Sequence, residues 1–100
     1  MSRSITIDEY SWLECPDCKH SNLHQLKVIT KFRDCEDSDG TCVEVSSSEC
    51  KIKRQKDSEI EGRRDVIYIE FSCESCGDNK RYKTLMIKQH KGNTVMQWNS

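Results

Sequence analysis

The sequence has few large apolar residues. Hydrophobic residues make up 34% of its 100 positions, and this fraction includes seven cysteines, so little of it can build an ordinary core. The mean hydropathy of -0.84 agrees. A chain this short also buries a limited share of its surface. We therefore expect a single domain held together by something besides apolar contacts, and a bound metal is the first candidate.

Long apolar runs are missing as well. No stretch reaches the roughly eighteen apolar residues that a membrane-spanning helix needs. The beginning of the chain, MSRSITIDEY, has no apolar segment behind a basic start, so we expect no secretory signal. These absences predict a soluble, cytoplasmic protein without membrane contact. In a reducing compartment an odd number of cysteines indicates metal ligation rather than a disulfide framework.

Signatures of common enzymes are also absent. The four glycines, at positions 40, 62, 77 and 92, cannot form a Walker loop or a dinucleotide fingerprint. No His-Glu-x-x-His motif occurs either. We therefore expect a protein that is not an enzyme and has no small-molecule substrate.

The net charge of -1 gives no general attraction to polyanions, but the charges are segregated along the chain. Residues 34–50 include six acidic residues and no basic one, whereas residues 51–56 include Lys51, Lys53, Arg54 and Lys56 and no acidic one. A nucleic-acid partner would therefore have to bind a local basic patch.

Two Cys-x-x-Cys pairs, Cys15 with Cys18 and Cys73 with Cys76, are the most specific motif. Each pair follows a predicted strand and precedes polar turn residues. In such a knuckle the two thiolates can face one ion while backbone N–H groups point at the sulfurs. Gly77 is expected to supply the positive φ that this turn often requires.

Four thiolates suit tetrahedral zinc and leave no open coordination position, which makes the predicted site structural. Two alternatives remain open at this point. The pairs could be buried or redox-active thiols, or the ion could be iron as in rubredoxin-like sites.

The CPDC and CESCG segments, with strands around them, resemble the zinc-ribbon class of small domains. The resemblance implies one structural Zn²⁺ held by Cys15, Cys18, Cys73 and Cys76. It also implies an all-β zinc ribbon with an antiparallel sheet of three to five strands. Proteins of this class occur in transcription and translation factors and in subunits of nucleic-acid enzymes. Nucleic acid, or the machinery that acts on it, is therefore the expected partner.

The pattern of apolar residues predicts strands over residues 10–13, 24–32 and 65–71, and a hairpin of 81–90 and 93–98 around Lys91 and Gly92. We expect residues 1–9 to be flexible and residues 10–100 to form a single zinc-ribbon domain. Residues 33–64, serine-rich and charged, are predicted to be an insert or long loop. Within it, Val43 and Val45 alternate and could form a short strand. With Gly40 and Gly62 as turn markers, a two-stranded excursion is also open.

Three further cysteines, Cys35, Cys42 and Cys50, lie in this insert at spacings that match no known knuckle. Free thiols, a disulfide and a second metal site all remain open for them. The three histidines are expected at the surface, and His20 is the substitute ligand if one of the four cysteines is not used.

A basic face with aromatic neighbours is predicted near the carboxyl end of the chain. Its candidate nucleic-acid contacts are Lys80, Arg81, Lys83, Lys88 and Lys91, with Tyr82 and Trp98 nearby. Such a surface suits phosphate contact and base stacking, although a solvated strand face, kept polar to protect an edge, is the more common meaning of such a pattern. The alternative function is a protein-interaction adaptor that docks by strand addition or through the acidic insert, without nucleic acid.

Overall fold

The computed structural model describes residues 3–34, 38–56, 65–77 and 82–99, which form strands and connecting segments without a helix. Seven strands in these residues build one antiparallel sheet in the order β1-β7-β6-β5-β2-β3-β4. The strands are β1 Arg3–Ser4, β2 Leu23–Phe32, β3 Gly40–Ser46, β4 Cys50–Gln55, β5 Val66–Cys73, β6 Tyr82–His90 and β7 Asn93–Trp98. The all-β prediction is confirmed.

The sheet is larger than the three to five strands expected. The segment predicted to be an insert contributes β3 and β4, which pair with each other and, through β3, with β2. Within residues 1–9, expected to be flexible, Arg3 and Ser4 pair with Trp98 and Gln97 of β7. Strand pairing gives the backbone groups of both chain regions hydrogen-bond partners on at least one side, which favours strands over loops there.

The strand register divides the side chains between two faces of the sheet, because antiparallel partners point to the same side. One face carries Phe71, Leu85 and Trp98, and we call it the knuckle face. The opposite face carries Lys31, Lys51 and Lys53, and we call it the lysine face. Each face therefore has its own chemistry.

The largest apolar cluster lies on the knuckle face, whereas the buried Val66 and Met86 lie on the lysine face. Phe71, Leu85 and Trp98 are buried together, and the Phe71 and Trp98 rings meet edge to face with centroids 5.8 Å apart. Ile5 and Leu13, from the segment between β1 and β2, pack over them. Residues 5–22 therefore cover one end of the sheet.

The hairpin of β6 and β7 turns at Lys91 and Gly92, as predicted. Both residues have positive φ, 51° and 81°. This combination is typical of the two-residue turns that match the twist of antiparallel strands.

Gly40 begins β3 where the chain passes close to the end of β2. A Cβ atom at this position would overlap the carbonyl oxygen of Phe32 and lie 2.9 Å from its carbonyl carbon. Both are backbone atoms, so they cannot move aside without shifting β2. Only glycine fits at this position.

We expect Gly40→Ala to lower the free energy of unfolding by about 1–3 kcal/mol, as overpacking does elsewhere. Urea unfolding of the metal-loaded protein measures the change. Gly77→Ala is the matched control, because an added Cβ there meets nothing within 4 Å. Equal stability of the two variants would contradict the close approach at Gly40.

Candidate metal centre

The four predicted ligand residues come together at one end of the sheet. Cys15 and Cys18 lie in a turn of the covering segment, while Cys73 ends β5 and Cys76 follows it. All four Sγ atoms lie within 4.8 Å of one another. The Sγ atoms are 3.5 Å apart both between Cys15 and Cys76 and between Cys18 and Cys73. The four thiols therefore form one cluster that could coordinate a metal ion.

The dimensions of this cluster fit a tetrahedral ion. A metal about 2.3 Å from each of four sulfurs places the sulfurs about 3.8 Å apart. The observed separations lie around that value. Cys15 and Cys73 are buried and Cys18 and Cys76 are partly exposed, so the cluster lies just below the surface.

Strand pairing brings the two knuckles side by side. Leu23, at the start of β2, pairs with Cys73 at the end of β5. The N–H of Glu74 donates to the carbonyl of Asn22 at 3.1 Å, and the Asn22 amide donates to Ser75 at 3.0 Å. These hydrogen bonds therefore hold the end of β5 against the start of β2 without a contribution from an ion.

The first knuckle is closed by its own backbone. The N–H of Cys15 donates to the carbonyl of His20 at 2.8 Å, and the N–H of Lys19 donates to the carbonyl of Cys15 at 3.0 Å. Lys19 has a φ of 66°, whereas Gly77, expected to have positive φ in the second knuckle, does not. The residue with a left-handed backbone conformation therefore lies directly after Cys18 in the first knuckle, and it is a lysine.

The surroundings of the thiols separate their pKa values. Burial raises the pKa of Cys15, but the backbone N–H groups of Cys18 and Asp17 outweigh it and bring that pKa down to about 7. Burial and the other thiols raise the pKa of Cys76 to about 12, and burial raises the pKa of Cys18. Cys15 therefore ionises more readily than Cys18 and Cys76, and a metal that binds the cluster must displace the protons of these two thiols.

Asp17, inside the first knuckle, ties the site to the sheet. Its carboxylate accepts from Nη1 of Arg3 at 2.7 Å and from the ammonium of Lys83. Hydrogen bonds from Arg3 and Lys83 lower the pKa of Asp17 to about 2. The carboxylate therefore stays charged and holds two cations beside the cluster.

Lys83, predicted as a nucleic-acid contact, lies buried beside the first knuckle. Its side chain is only 2% exposed and is paired with Asp17 rather than open to solvent. Burial lowers its pKa, but Asp17 and the charges at Cys76 and Cys15 outweigh this and raise it overall. Lys83 is thus a buried cation that faces the thiol cluster.

The other predicted residues are spread over the molecule. Lys88 lies half-buried on the lysine face and Lys91 is exposed in the β6–β7 turn. Lys80 and Arg81 lie outside the described residues, as does Cys35. Cys42 is buried and Cys50 is exposed, and both are free thiols outside the cluster.

The histidines stand apart from the thiol cluster as well. In the part of the chain that the structure describes, the four cysteines alone form a group of metal-ligating side chains, so His20 does not replace one of them. His24 instead contacts Glu74, with Nε2 and Oε1 2.7 Å apart.

The sequence analysis missed a pocket on the lysine face. It has a volume of about 510 Å³ and is lined by Ile29, Lys31, Cys42, Glu44, Lys51, Lys53, Gln55 and Tyr68. The Nζ of Lys31 lies 5.7 Å from the centre of the Tyr68 ring, within cation–π range. The alternation of Lys51 and Lys53 at strand period was the available signal, but it lay in the segment read as an insert.

No protein-family model, no curated protein and no solved structure matches this chain. Among the described residues no helix is long and apolar enough to cross a membrane. The thiol cluster and the all-β sheet therefore carry the functional argument.

We expect Lys83→Met to weaken metal binding roughly 10–100-fold, as the loss of an outer-shell partner does at other sites. The physical reason is that a buried cation facing the thiolates is removed and Asp17 loses one of its two partners. Competition with a chromophoric chelator measures the affinity.

Lys88→Met is the control for this prediction, because Lys88 lies on the opposite face. Lys83→Arg, which keeps the charge, should retain more affinity than Lys83→Met. An unchanged affinity of a folded Lys83→Met protein would show that Lys83 does not act on the site.

Proposed function

We propose that this protein is a non-enzymatic binding module of the zinc-ribbon type, built around one structural Zn²⁺ and working in the cytoplasm. Its partner is nucleic acid or the machinery that acts on it, and the contact surface is the lysine face. The observation that carries the proposal is the row of lysines across that face. The metal serves only to hold the fold.

Zinc is supported by the donor set. Four thiolates in a tetrahedral arrangement suit zinc or an iron site, and all four positions are taken by protein side chains. No coordination position is left for water or substrate, which agrees with an architectural role. The free thiols of Cys42 and Cys50 are in keeping with a reducing compartment.

The purified protein should contain one equivalent of zinc and lose its NMR dispersion when a strong chelator removes it. Structural zinc contributes about 10–16 kcal/mol in small domains, which is comparable to the whole stability of a domain. Native mass spectrometry gives the metal and its stoichiometry, and an iron-loaded sample would be red.

Cys15→Ser combined with Cys73→Ser should have the same effect as chelation. Cys50→Ser is the matched control, since this cysteine is exposed and lies outside the cluster. A protein that is metal-free and still fully folded would contradict the proposal of a structural metal.

The strand register supports a polyanion-binding role for the lysine face. Lys53, Lys31 and Lys88 lie in one row across β4, β2 and β6, with Cys42 and Val66 between them. Alternate strands are about 10 Å apart, so the row spans about 20 Å. Evenly spaced cations of this kind suit the phosphates of an extended nucleic-acid strand.

The balance of charge on this face is positive despite the net charge of the chain. The strands place five lysines on it, Lys27, Lys31, Lys51, Lys53 and Lys88, against two glutamates, Glu44 and Glu70. Lys27 pairs with both glutamates, at 3.7 Å and 3.2 Å. The acidic groups are therefore partly neutralised by a lysine outside the row.

Tyr68 supplies an aromatic ring in the pocket between these lysines. A base could stack on such a ring while the neighbouring ammonium groups meet the backbone, which is how single strands are bound without sequence readout. We therefore favour single-stranded nucleic acid over a duplex.

The alternative is a protein-interaction adaptor, and the edge strand β4 supports it. Among the described strands only β3 pairs with β4, and five of the six residues of β4 are exposed. An extended acidic segment could add to this edge, because residues 51–56 carry four basic side chains and no acidic one.

Fluorescence anisotropy with labelled single- and double-stranded oligonucleotides tests the nucleic-acid role. Binding should weaken steeply with salt, with a slope of about -0.7 for each phosphate contacted on a single strand. Lys53→Glu should reduce affinity roughly tenfold and flatten the salt slope.

Arg54→Glu is the matched control, because it makes the same charge change one residue away on the opposite face. Equal losses in the two variants would show non-specific attraction rather than contact by the lysine face. Absence of binding at low salt would remove nucleic acid as the partner and leave the adaptor role.

A further inference from the structure

A small hairpin lies in the segment that covers the core, before the first knuckle. Its ends, Ile7 and Leu13, form an isolated antiparallel bridge, and the N–H of Asp8 donates to the carbonyl of Trp12 at 2.9 Å. The N–H of Ser11 donates to the carbonyl of Asp8 at 3.0 Å, and Ser11 has a φ of 67°. A tight turn followed by a left-handed residue is a common form of the three-residue hairpin loop.

The side chain of Asp8 holds this hairpin in one shape. Its Oδ1 atom accepts from the N–H of Tyr10 at 2.9 Å and from the N–H of Trp12 at 3.0 Å. Aspartate is favoured at the first position of a turn because its carboxylate can bind backbone donors in this way. The backbone of both aromatic residues is therefore fixed by hydrogen bonds.

The hairpin presents two aromatic rings to solvent. Leu13 packs on the core, and successive residues of an extended chain point to opposite sides, so Trp12 faces away from the core. Tyr10 is 66% exposed and Trp12 is 58% exposed. Their ring centroids are 5.5 Å apart, with the planes inclined by 41°. The rings therefore form one continuous surface, and we call residues 7–13 the aromatic hairpin.

This surface has the properties of a binding site for a short chain segment. Rings that are already held in place lose little conformational entropy when a partner covers them. Tryptophan and tyrosine are also among the residues that most often carry the binding energy of an interface. The exposed parts of the two rings amount to about 200–300 Å². That area suits a few residues of an extended segment, whereas a folded partner covers about 800 Å² in a standard interface.

The charges beside the rings indicate the chemistry of the partner. Residues 5–14 contain three acidic residues, Asp8, Glu9 and Glu14, and no basic one. Glu9 is exposed, and Asp8 and Glu14 are half-buried. Carboxylates repel the phosphates of nucleic acid and of anionic lipids and attract cations. An aromatic ring face attracts a cation as well, so both features favour a cationic side chain.

We propose that the aromatic hairpin binds an arginine-bearing segment of a protein partner. The guanidinium group stacks on the rings of Tyr10 and Trp12 beside the carboxylate of Glu9. A guanidinium is planar and more weakly hydrated than an ammonium, so it stacks well on aromatic rings, and it can pair with a carboxylate through two parallel hydrogen bonds. This site does not depend on nucleic-acid binding by the lysine face, because the hairpin packs through Leu13 on the core cluster of the opposite face.

NMR titration of the metal-loaded protein with a capped peptide of alternating glycine and arginine tests this site. The indole signal of Trp12 and the amide signals of residues 8–12 should shift, whereas the indole signal of Trp98, which is fully buried, should not. Affinity should fall as salt is added, because exposed charges are screened.

The peptide series tests the chemistry on the unaltered protein. A peptide with citrulline, the uncharged isostere of arginine, should bind at least tenfold more weakly, and a lysine peptide should lie between the two. Equal binding of the citrulline peptide, or of a proline-rich peptide without arginine, would overturn the assignment to a cation. Shifts of the hairpin signals by a single-stranded oligonucleotide, with none from the arginine peptide, would overturn it too.

Substitutions test the location of the site. Tyr10→Ala and Trp12→Ala should each weaken binding of the arginine peptide roughly tenfold, and Glu9→Gln about threefold. Tyr82→Ala is the matched control, since Tyr82 is 62% exposed and lies on β6. Unchanged metal content and an unchanged Trp98 signal establish that each variant is folded. Equal weakening by Tyr82→Ala would overturn the assignment to the hairpin.

Discussion

The fold depends on joining two turns that are far apart in the sequence. Cys15 and Cys18 lie between β1 and β2, whereas Cys73 ends the central strand β5 and Cys76 follows it, and the pairing of Leu23 with Cys73 brings them within reach. Closing so long a loop costs conformational entropy, and the burial of a small core offsets only part of this cost. A metal ion that binds all four thiolates would supply the missing free energy at this point.

The site and the core are parts of one surface. Lys83, which pairs with Asp17 of the first knuckle, stands opposite Phe71 in the register, and Leu85 follows two residues later on the same face. Arg3 reaches Asp17 from β1, the edge strand two places from β6 in the sheet. The charged residues around the cysteines are therefore adjacent to the apolar cluster. A substitution in either group is expected to affect both.

The sequence predicted the parts of this structure that depend on local pattern. The two cysteine pairs were found by spacing, β5 by its alternation of apolar residues, and β6 and β7 by their composition. The alternation in β2 is broken by Ile29, which lies on the lysine face, and a register shift between Gln25 and Lys27 leaves Leu26 as an extra residue. β3 was suggested by Val43 and Val45, whereas the exposed, charged residues of β4 resemble a loop and gave its strand no bounds.

Long-range partners explain the remaining differences. Lys83 reads as a surface cation until Asp17, 66 residues earlier, is placed beside it. The sequence likewise does not predict the row of Lys31, Lys53 and Lys88, because these lysines come from three separate strands. Charge and the period-two pattern of side chains predict how a residue lies in its own strand. Which residues it neighbours, and therefore its role, depends on the register between strands.

One topological fact links the two surfaces. Residues 5–22 cover the core cluster of β5, β6 and β7, but the sheet continues through β2 to β3 and β4. The extension adds lysines to one face and leaves Val45 and Ile52 exposed on the other. The same strands that create the basic row thus also place apolar side chains on the opposite face. β4 buries only Gln55 of its six residues, so it adds little to the core, and its contribution is to extend these two faces.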